Sequence, residues 1–194
     1  MNAVDLASLL CSRLCHDLMS PVGALSNGLE LIADEDNPAM REHVMALLAD
    51  SARTTSAKLK FFRLAFGAAG GYAAEVDTAE AQAVVRGLFE ADGKIAVDWQ
   101  VGEARLPKSV VKLLLNLALI AGDALVRGGR LAVGAERRGE EIELVIGAEG
   151  PRVIVDPSLR ATLTDGAGEG PVEPRAAGAW LAHALAAEGG GTIR

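Results

Sequence analysis

The sequence predicts an α+β protein, in which an N-terminal antiparallel helical hairpin precedes a C-terminal α/β sandwich. Apolar residues recur at helical spacing through the first third of the chain, and helix and strand patterns alternate after a glycine-rich break at 67–74. The chain has 194 residues, half of them apolar, so it can bury a core of this kind. We therefore predict two domains, at residues 1–67 and 75–194.

The first helix is predicted from residue 5 to about residue 34. Its apolar residues recur every three or four positions and share one face: Leu6, Leu10, Leu14, Leu18, Val22, Leu25, Leu29 and Ile32. Pro21 lies inside this pattern. Because proline lacks a backbone N–H and clashes with the carbonyl four residues earlier, we expect one irregularity near Leu18.

The second helix follows a tight turn, with Asn37 as its N-cap and Pro38 at the first helical position. Its apolar face is made by Met40, Val44, Leu47, Leu48, Ser51, Thr55, Leu59, Phe62 and Phe66. Two such helices cannot cover each other fully, so we expect them to dimerise into a four-helix bundle. A solvated basic face, open to contact with an acidic partner, is expected from Lys58, Lys60 and Arg63.

The second domain is predicted from alternating helix and strand patterns. We expect helices at 78–91, 107–126, 157–164 and 174–188, and strands at 94–101, 130–137 and 140–147. The glycines at 166, 168 and 170 predict a surface loop. A phosphate-binding loop is disfavoured because no Lys-Ser or Lys-Thr pair follows them.

Composition excludes several classes of function. A formal charge of −7 without a basic cluster argues against a nucleic-acid partner. No run of 18 apolar residues and no secretory signal is present, so we expect a cytoplasmic protein without a membrane span. Cys11, Cys15 and His16 could be considered as metal ligands, but they lie within one and a half helical turns without a distant fourth ligand, so no metal site is predicted.

His16 is the candidate for chemistry. It lies on a stripe of the first helix that is roughly opposite the leucines and is formed by Ser12, His16, Ser20, Gly23 and Asn27. An outward-facing imidazole can act as a nucleophile, and its small neighbours leave room for a partner. Taken alone, however, a histidine on a helix is more often an ordinary surface residue.

The residues around His16 favour a functional role over that of an ordinary surface residue. Residues 15–22 (CHDLMSPV) resemble the H-box of two-component signalling proteins, in which an acidic residue and a leucine follow the histidine and a proline lies five positions after it. Residues 21–31 (PVGALSNGLEL) and 61–67 (FFRLAFG) are similar to the ChpT-type histidine phosphotransferases of alphaproteobacterial phosphorelays. This second resemblance covers essentially the whole chain.

The resemblance implies a homodimer with a histidine-kinase-like hairpin and a degenerate relative of the kinase ATP-binding domain. It also implies that His16 shuttles a phosphoryl group between the receiver domain of a hybrid histidine kinase and those of response regulators. No cofactor is then expected in this chain, and Mg²⁺ is expected in the partner receiver. Asp17 is the candidate to orient or deprotonate His16. The docking surface is expected from Arg13, Met19, Ser20, Gly23 and Asn27.

The second domain resembles a kinase ATP site whose chemistry is missing. Residues 113–123 (LLLNLALIAGD) are similar to the kinase N-box, with Asn116 at its first asparagine, Ile120 in place of a magnesium-binding asparagine, and Asp123 in place of a lysine. In residues 146–152, Ala148 replaces the adenine-binding aspartate and Arg152 replaces a glycine. We therefore predict no ATP binding.

Two other functions remain open from the sequence. An ATP-dependent histidine kinase core is disfavoured by the four replaced residues. A non-catalytic scaffold that binds receivers through the same surface is disfavoured by the H-box alone.

Overall fold

The structure is a computed structural model that describes residues 2–67, 74–166 and 173–194. The glycine-rich linker predicted at 67–74 falls largely outside the described residues, as do Gly168 and Gly170 of the predicted surface loop. The predicted domain boundary therefore stays a prediction.

The hairpin consists of α1 (Ala3–Ala33) and α2 (Pro38–Ala65). Asn2 caps α1 through a reciprocal pair of hydrogen bonds with Asp5, which explains why the helix begins earlier than predicted. Asn37 caps α2 as predicted, because its Oδ1 accepts a hydrogen bond of 3.0 Å from the Ala39 N–H. The helix α1 runs through Pro21 without a break.

The remaining elements follow in the predicted order, with two short strands added. They are β1 (Glu75–Asp77), α3 (Thr78–Phe89), β2 (Ile95–Val101), β3 (Arg105–Pro107), α4 (Lys108–Asp123), β4 (Gly129–Arg138), β5 (Glu141–Glu149), α5 (Pro157–Asp165), a 3₁₀ turn (Pro174–Ala176) and α6 (Ala177–Glu188). The two short strands, β1 and β3, pair with each other in antiparallel fashion.

The main sheet has the strand order β2-β4-β5. Strand β2 is parallel to β4, whereas β4 and β5 form an antiparallel pair. Apolar residues on one face of β4 point into the core, among them Leu131 and Val133, which are fully buried. The α+β class is therefore confirmed.

The core of the sandwich includes the end of the hairpin. Phe61, Phe62, Leu64 and Ala65 of α2 are buried in the same apolar cluster as the residues of α3, α4 and β4. The ring of Phe61 meets that of Phe89 edge to face, with centroids 6.3 Å apart. The hairpin and the sandwich are consequently packed together at this end, although their sequence patterns change between them.

Candidate functional site

His16 lies near the middle of α1 with 85% of its side chain exposed, as its position opposite the leucines predicts. Its Nδ1 lies 3.1 Å from Oδ1 of Asp17. A carboxylate can only accept a hydrogen bond, so we assign the ring proton to Nδ1. The other ring nitrogen, Nε2, then carries the lone pair and is free to attack an electrophile.

The carboxylate of Asp17 is mostly shielded from solvent and is held by a contact within the hairpin. Its side chain is 15% exposed, and its Oδ2 accepts a hydrogen bond of 2.6 Å from Nε of Arg13, one helical turn earlier. The two carboxylate oxygens therefore have different partners, Arg13 on one side and His16 on the other. This arrangement agrees with the role of orienting His16 that the sequence suggested for Asp17, although the role itself stays a prediction.

A place on the docking surface, as predicted for Arg13, requires an exposed side chain, but the side chain of Arg13 does not face solvent. Its side chain is only 15% exposed, because it reaches back across the hairpin to the second domain. Its Nη2 donates a hydrogen bond of 2.7 Å to Oδ2 of Asp123 at the end of α4, and its Nη1 lies 3.4 Å from the carbonyl oxygen of Arg175. Arg13 thus links Asp17 of the hairpin to Asp123 and Arg175 of the second domain.

The pKa values of this ion pair move in the same direction for different reasons. Desolvation raises the pKa of Asp123 above its ordinary value, and the charge of Arg13 opposes that rise. For Arg13, desolvation favours the neutral form, but the carboxylates of Asp123 and Asp17 outweigh it and raise the pKa. Arg13 therefore stays charged, while the fold disfavours the charge on Asp123.

Lys58 joins the site from α2. Pro21 has no N–H, so the carbonyl of Asp17, four residues earlier, lacks its usual helical donor. The ammonium of Lys58 donates a hydrogen bond of 2.7 Å to this oxygen. Lys58 is therefore partly buried and engaged, in contrast to the solvated face predicted for it.

A cleft of about 280 Å³ lies between the hairpin and the second domain. Its hairpin side is lined by Arg13, Asp17, Lys58 and Phe62. The other side is lined by the ends of α3 and α4, the segment between α3 and β2, and the first residue of β2, through Leu88, Phe89, Asp92, Ile95, Leu119, Gly122 and Asp123.

The other predicted docking residues line one open side of α1. Met19 is 73% exposed, Ser20 and Asn27 are exposed, and Gly23 is half-buried. A side chain at Gly23 would find nothing within 4 Å. The stripe is therefore accessible next to His16, and its role in docking stays a prediction.

The positions that resemble an ATP site have other contacts here. Asn116 is fully buried, and its Nδ2 donates to the carbonyl oxygens of Lys112 and of Ala65, at 2.8 and 3.3 Å. The carboxylate of Asp123 binds Arg13. Ala148 lies opposite Leu131 in the sheet, Ile120 is half-buried, and Arg152 is exposed after β5. Asn116 and Asp123 thus connect the second domain to the hairpin.

Sequence reasoning missed two residues of this site. Lys58 could have been found from Pro21, because a proline within a helix predicts a carbonyl that needs a new donor. Asp123 was recognised as a replaced lysine, but its pairing with Arg13 spans 110 residues and has no local signal.

The family described as "Histidine phosphotransferase C-terminal domain" matches residues 78–194. The protein phosphotransferase ChpT of Brucella abortus (strain 2308) is 42% identical over 98% of this chain and 89% of its own length. A solved structure of a bacterial phosphotransferase is 40% identical, covers 98% of this chain and 89% of its own, and superposes with a TM-score of 0.86.

A histidine kinase, AdeS of Acinetobacter baumannii, aligns with 89% of this chain and 86% of its own at 15% identity and a TM-score of 0.41. Among the described residues, no helix has both the length and the apolar character that a membrane span needs.

Proposed function

The chain belongs to the histidine phosphotransferase family, and from this membership we propose that His16 is the residue that carries the phosphoryl group in a phosphorelay. Phosphotransferase activity follows from the family itself. The assignment to His16 is supported above all by its 85% exposed side chain, whose Nδ1 is engaged by Asp17 so that Nε2 faces outward.

The proposed transfer needs little machinery from this chain. The Nε2 lone pair of His16 attacks the phosphorus of a phosphoaspartate in a receiver domain, and the P–O bond to the aspartate breaks with its electron pair on that carboxylate. The Nδ1 proton stays hydrogen-bonded to Asp17, whose carboxylate stabilises the positive ring. In the second step a carboxylate oxygen of another receiver attacks the phosphorus, and the N–P electron pair returns to Nε2.

Charge on the transferred group has to be neutralised, and Mg²⁺ in the receiver is the proposed source. No cofactor is proposed for this chain. Because the proposed partners are the receiver domains of a hybrid histidine kinase and of response regulators, we expect the reaction to take place in the cytoplasm.

A homodimer is proposed for the hairpin. Several apolar residues on the predicted inner faces of α1 and α2 stay exposed in the single chain, among them Val22, Leu29, Met40, Leu47 and Leu59. A second copy of the same hairpin would cover both faces in a four-helix bundle.

We propose that the chain does not take its phosphoryl group from ATP. Two observations support this proposal: Asn116 is fully buried, with its Nδ2 bound to the carbonyl oxygens of Ala65 and Lys112, and the residue in place of the lysine is an anion, Asp123, that is paired with Arg13. The competing function, an ATP-dependent kinase, requires a triphosphate to bind with the carboxylate of Asp123 in place of a lysine.

The test is phosphotransfer from a radiolabelled receiver domain, purified free of ATP, to the wild-type chain. His16→Ala is compared with His43→Ala, which removes another exposed histidine, on α2. We expect label on wild type and on His43→Ala but none on His16→Ala, and none on any of them with labelled ATP alone. Label taken directly from ATP would make the chain a kinase.

A scaffold without transfer activity is the remaining alternative. It predicts that receivers bind His16→Ala as well as wild type and that neither accepts label. Signalling retained in cells that carry His16→Ala would favour this function over the proposed one.

A further inference from the structure

We propose that Asp123, at the end of α4 in the second domain, is a positioning residue for His16 that acts through Arg13 and Asp17. The inference rests on the proposed role of His16 as phosphoacceptor. It gives the second domain a part in the transfer even though that domain holds no nucleotide.

Three consecutive contacts link the two residues. Oδ2 of Asp123 accepts from Nη2 of Arg13 at 2.7 Å, Nε of Arg13 donates to Oδ2 of Asp17 at 2.6 Å, and Oδ1 of Asp17 faces Nδ1 of His16 at 3.1 Å. Each residue in the middle uses a different atom for each neighbour. The planar guanidinium of Arg13 fixes the angle between its two partners, so the position of Asp123 constrains the carboxylate of Asp17.

Asp123 is itself held in place relative to the hairpin. It ends α4, and Asn116 of the same helix donates to the carbonyl oxygen of Ala65 at the end of α2. The neighbouring side chains Leu114 and Leu115 lie in the apolar cluster that also contains Phe61. A carboxylate on α4 is therefore a fixed reference point for Arg13.

The charges explain why a second carboxylate matters. Arg13 carries one positive charge and is shared between Asp17 and Asp123. If Asp123 is neutral, Arg13 neutralises Asp17 more completely, and the attraction of Asp17 for the Nδ1–H of His16 weakens. The guanidinium then keeps only a neutral partner at Nη2, beside its contact with the Arg175 carbonyl, so it holds the carboxylate of Asp17 less firmly.

The stability of the fold does not explain why an aspartate is present at position 123. Desolvation raises the pKa of Asp123, which means that the fold disfavours its ionised form even with Arg13 beside it. The carboxylate of Asp123 instead lines the same cleft as Arg13 and Asp17, where its contact with Arg13 connects it to His16.

The experiment compares wild type with Asp123→Asn, which removes the charge and keeps the shape, and with Asp123→Ala. The matched control is Asp92→Asn, because Asp92 lines the same cleft and its carboxylate binds Lys94 instead of Arg13. Two quantities are measured: the tautomer of the neutral His16 ring from its ¹⁵N chemical shifts, and the rate of phosphotransfer from a phosphorylated receiver. His183, whose Nδ1 lies 3.2 Å from the carbonyl oxygen of Leu163, provides an internal reference for an Nδ1–H ring.

We expect wild type and Asp92→Asn to hold the proton on Nδ1 of His16 and to transfer at the same rate. Asp123→Asn should show a mixture of the two tautomers at His16, with His183 unchanged, and a rate lower by about tenfold because the nucleophile is misoriented. Asp123→Ala should be at least as slow. If Asp123→Ala does not fold, the comparison of Asp123→Asn with wild type still tests the positioning role.

The outcomes separate this inference from the proposed function. A wild type that accepts no label refutes the role of His16. A wild type and an Asp123→Asn variant that accept label equally fast, or that have the same His16 tautomer, refute the positioning role of Asp123 and leave the role of His16 intact.

Discussion

The ammonium of Lys58 donates a 2.7 Å hydrogen bond to the carbonyl oxygen of Asp17, the same carbonyl that Pro21 deprives of its helical donor. The carbonyl that Pro21 leaves without a donor explains why Lys58 points into the hairpin, and the ammonium of Lys58 explains how α1 accommodates a proline. Pro21 is buried inside α1 and would leave the carbonyl next to His16 unpaired, and Lys58 on the neighbouring helix supplies the missing N–H.

This relationship predicts a coupling between the two residues. Lys58→Met should lower the free energy of unfolding by about 1–2 kcal/mol, because a partly buried carbonyl loses its charged donor. In a Pro21→Ala background the alanine N–H can bond to Asp17, so the same substitution should cost about 1 kcal/mol less. Urea denaturation of the four proteins at one protein concentration measures this. Equal costs in both backgrounds would contradict the pairing.

The two glycines of α1 at positions 23 and 28 should respond differently to alanine. Nothing lies within 4 Å of a Cβ at Gly23, so Gly23→Ala should raise the free energy of unfolding by roughly 0.5–1 kcal/mol. At Gly28 the Cβ would lie 2.7 Å from Cδ2 of Leu48, so Gly28→Ala should be the less stable of the two by about 1 kcal/mol. Thermal and urea unfolding would show the order, and the reverse order would be evidence against the packing of α1 on α2.

The exposed apolar residues of the hairpin predict its oligomeric state. Leu29 and Leu47 are 61% and 54% exposed in the single chain. The double substitution Leu29→Lys with Leu47→Lys should convert the proposed dimer to a monomer in analytical ultracentrifugation, because it would bury charges in the bundle. Glu42→Lys changes an exposed residue on the side of α2 opposite Met40 and should leave the dimer intact. A wild type that sediments as a monomer would refute the bundle.

Mg·ATP should leave the melting temperature of the protein unchanged. A ligand that binds only the folded state raises the melting temperature as its concentration exceeds its Kd, and here Asn116 is buried against the hairpin while the carboxylate of Asp123 replaces a lysine. Differential scanning fluorimetry with and without millimolar nucleotide measures this. A concentration-dependent rise would revive the kinase function.

The raised pKa of Asp123 predicts a change of stability with pH. Its protonated form is favoured by folding, so the corresponding stabilisation is complete below the ordinary aspartate pKa of about 3.9 and is lost as the pH rises through the raised value. Asp123→Asn is uncharged throughout. Its free energy of unfolding relative to wild type should therefore increase as the pH rises above about 4, by less than about 1 kcal/mol because solvent screens the half-exposed group.

Asp92→Asn is the control with the opposite sign. The backbone hydrogen bond from Lys94 lowers the pKa of Asp92, so its stabilisation is present above the ordinary pKa and is lost in acid. The stability of Asp92→Asn relative to wild type should therefore decrease as the pH rises toward the ordinary aspartate value and stay constant above it, where the relative stability of Asp123→Asn increases. A relative stability of Asp123→Asn that shows no increase above that value would contradict the environment described for Asp123.

The elements of the fold were predictable because each has a local cause. The spacing of the leucines in α1 and the Asn37-Pro38 pair at the start of α2 are signals within a few residues, and the observed helix α2 begins at Pro38. Strands β1 and β3 were missed. Each has three residues, too few for an alternating pattern, and each is defined by pairing with the other.

The candidate site was predictable where one helix forms it. His16 and Asp17 follow from the sequence of α1 alone, and the exposure of His16 agrees with helical geometry. The position of Arg13 did not follow, because the side chain is long enough to reach either solvent or the second domain. The side chain of Arg13 reaches the second domain because it binds Asp123, and Asp123 lies nearby because α4 packs on α2.

The bond from Asn116 to the Ala65 carbonyl, together with the shared apolar core, fixes α4 against the end of α2. If His16 carries the phosphoryl group as proposed, both transfers would therefore meet the same arrangement of side chains around it. Phosphorus would arrive at and depart from the same nitrogen through the same geometry, so the chain could not favour one direction over the other. The net flow would be set by the partners, according to which receiver holds the phosphoryl group at higher free energy.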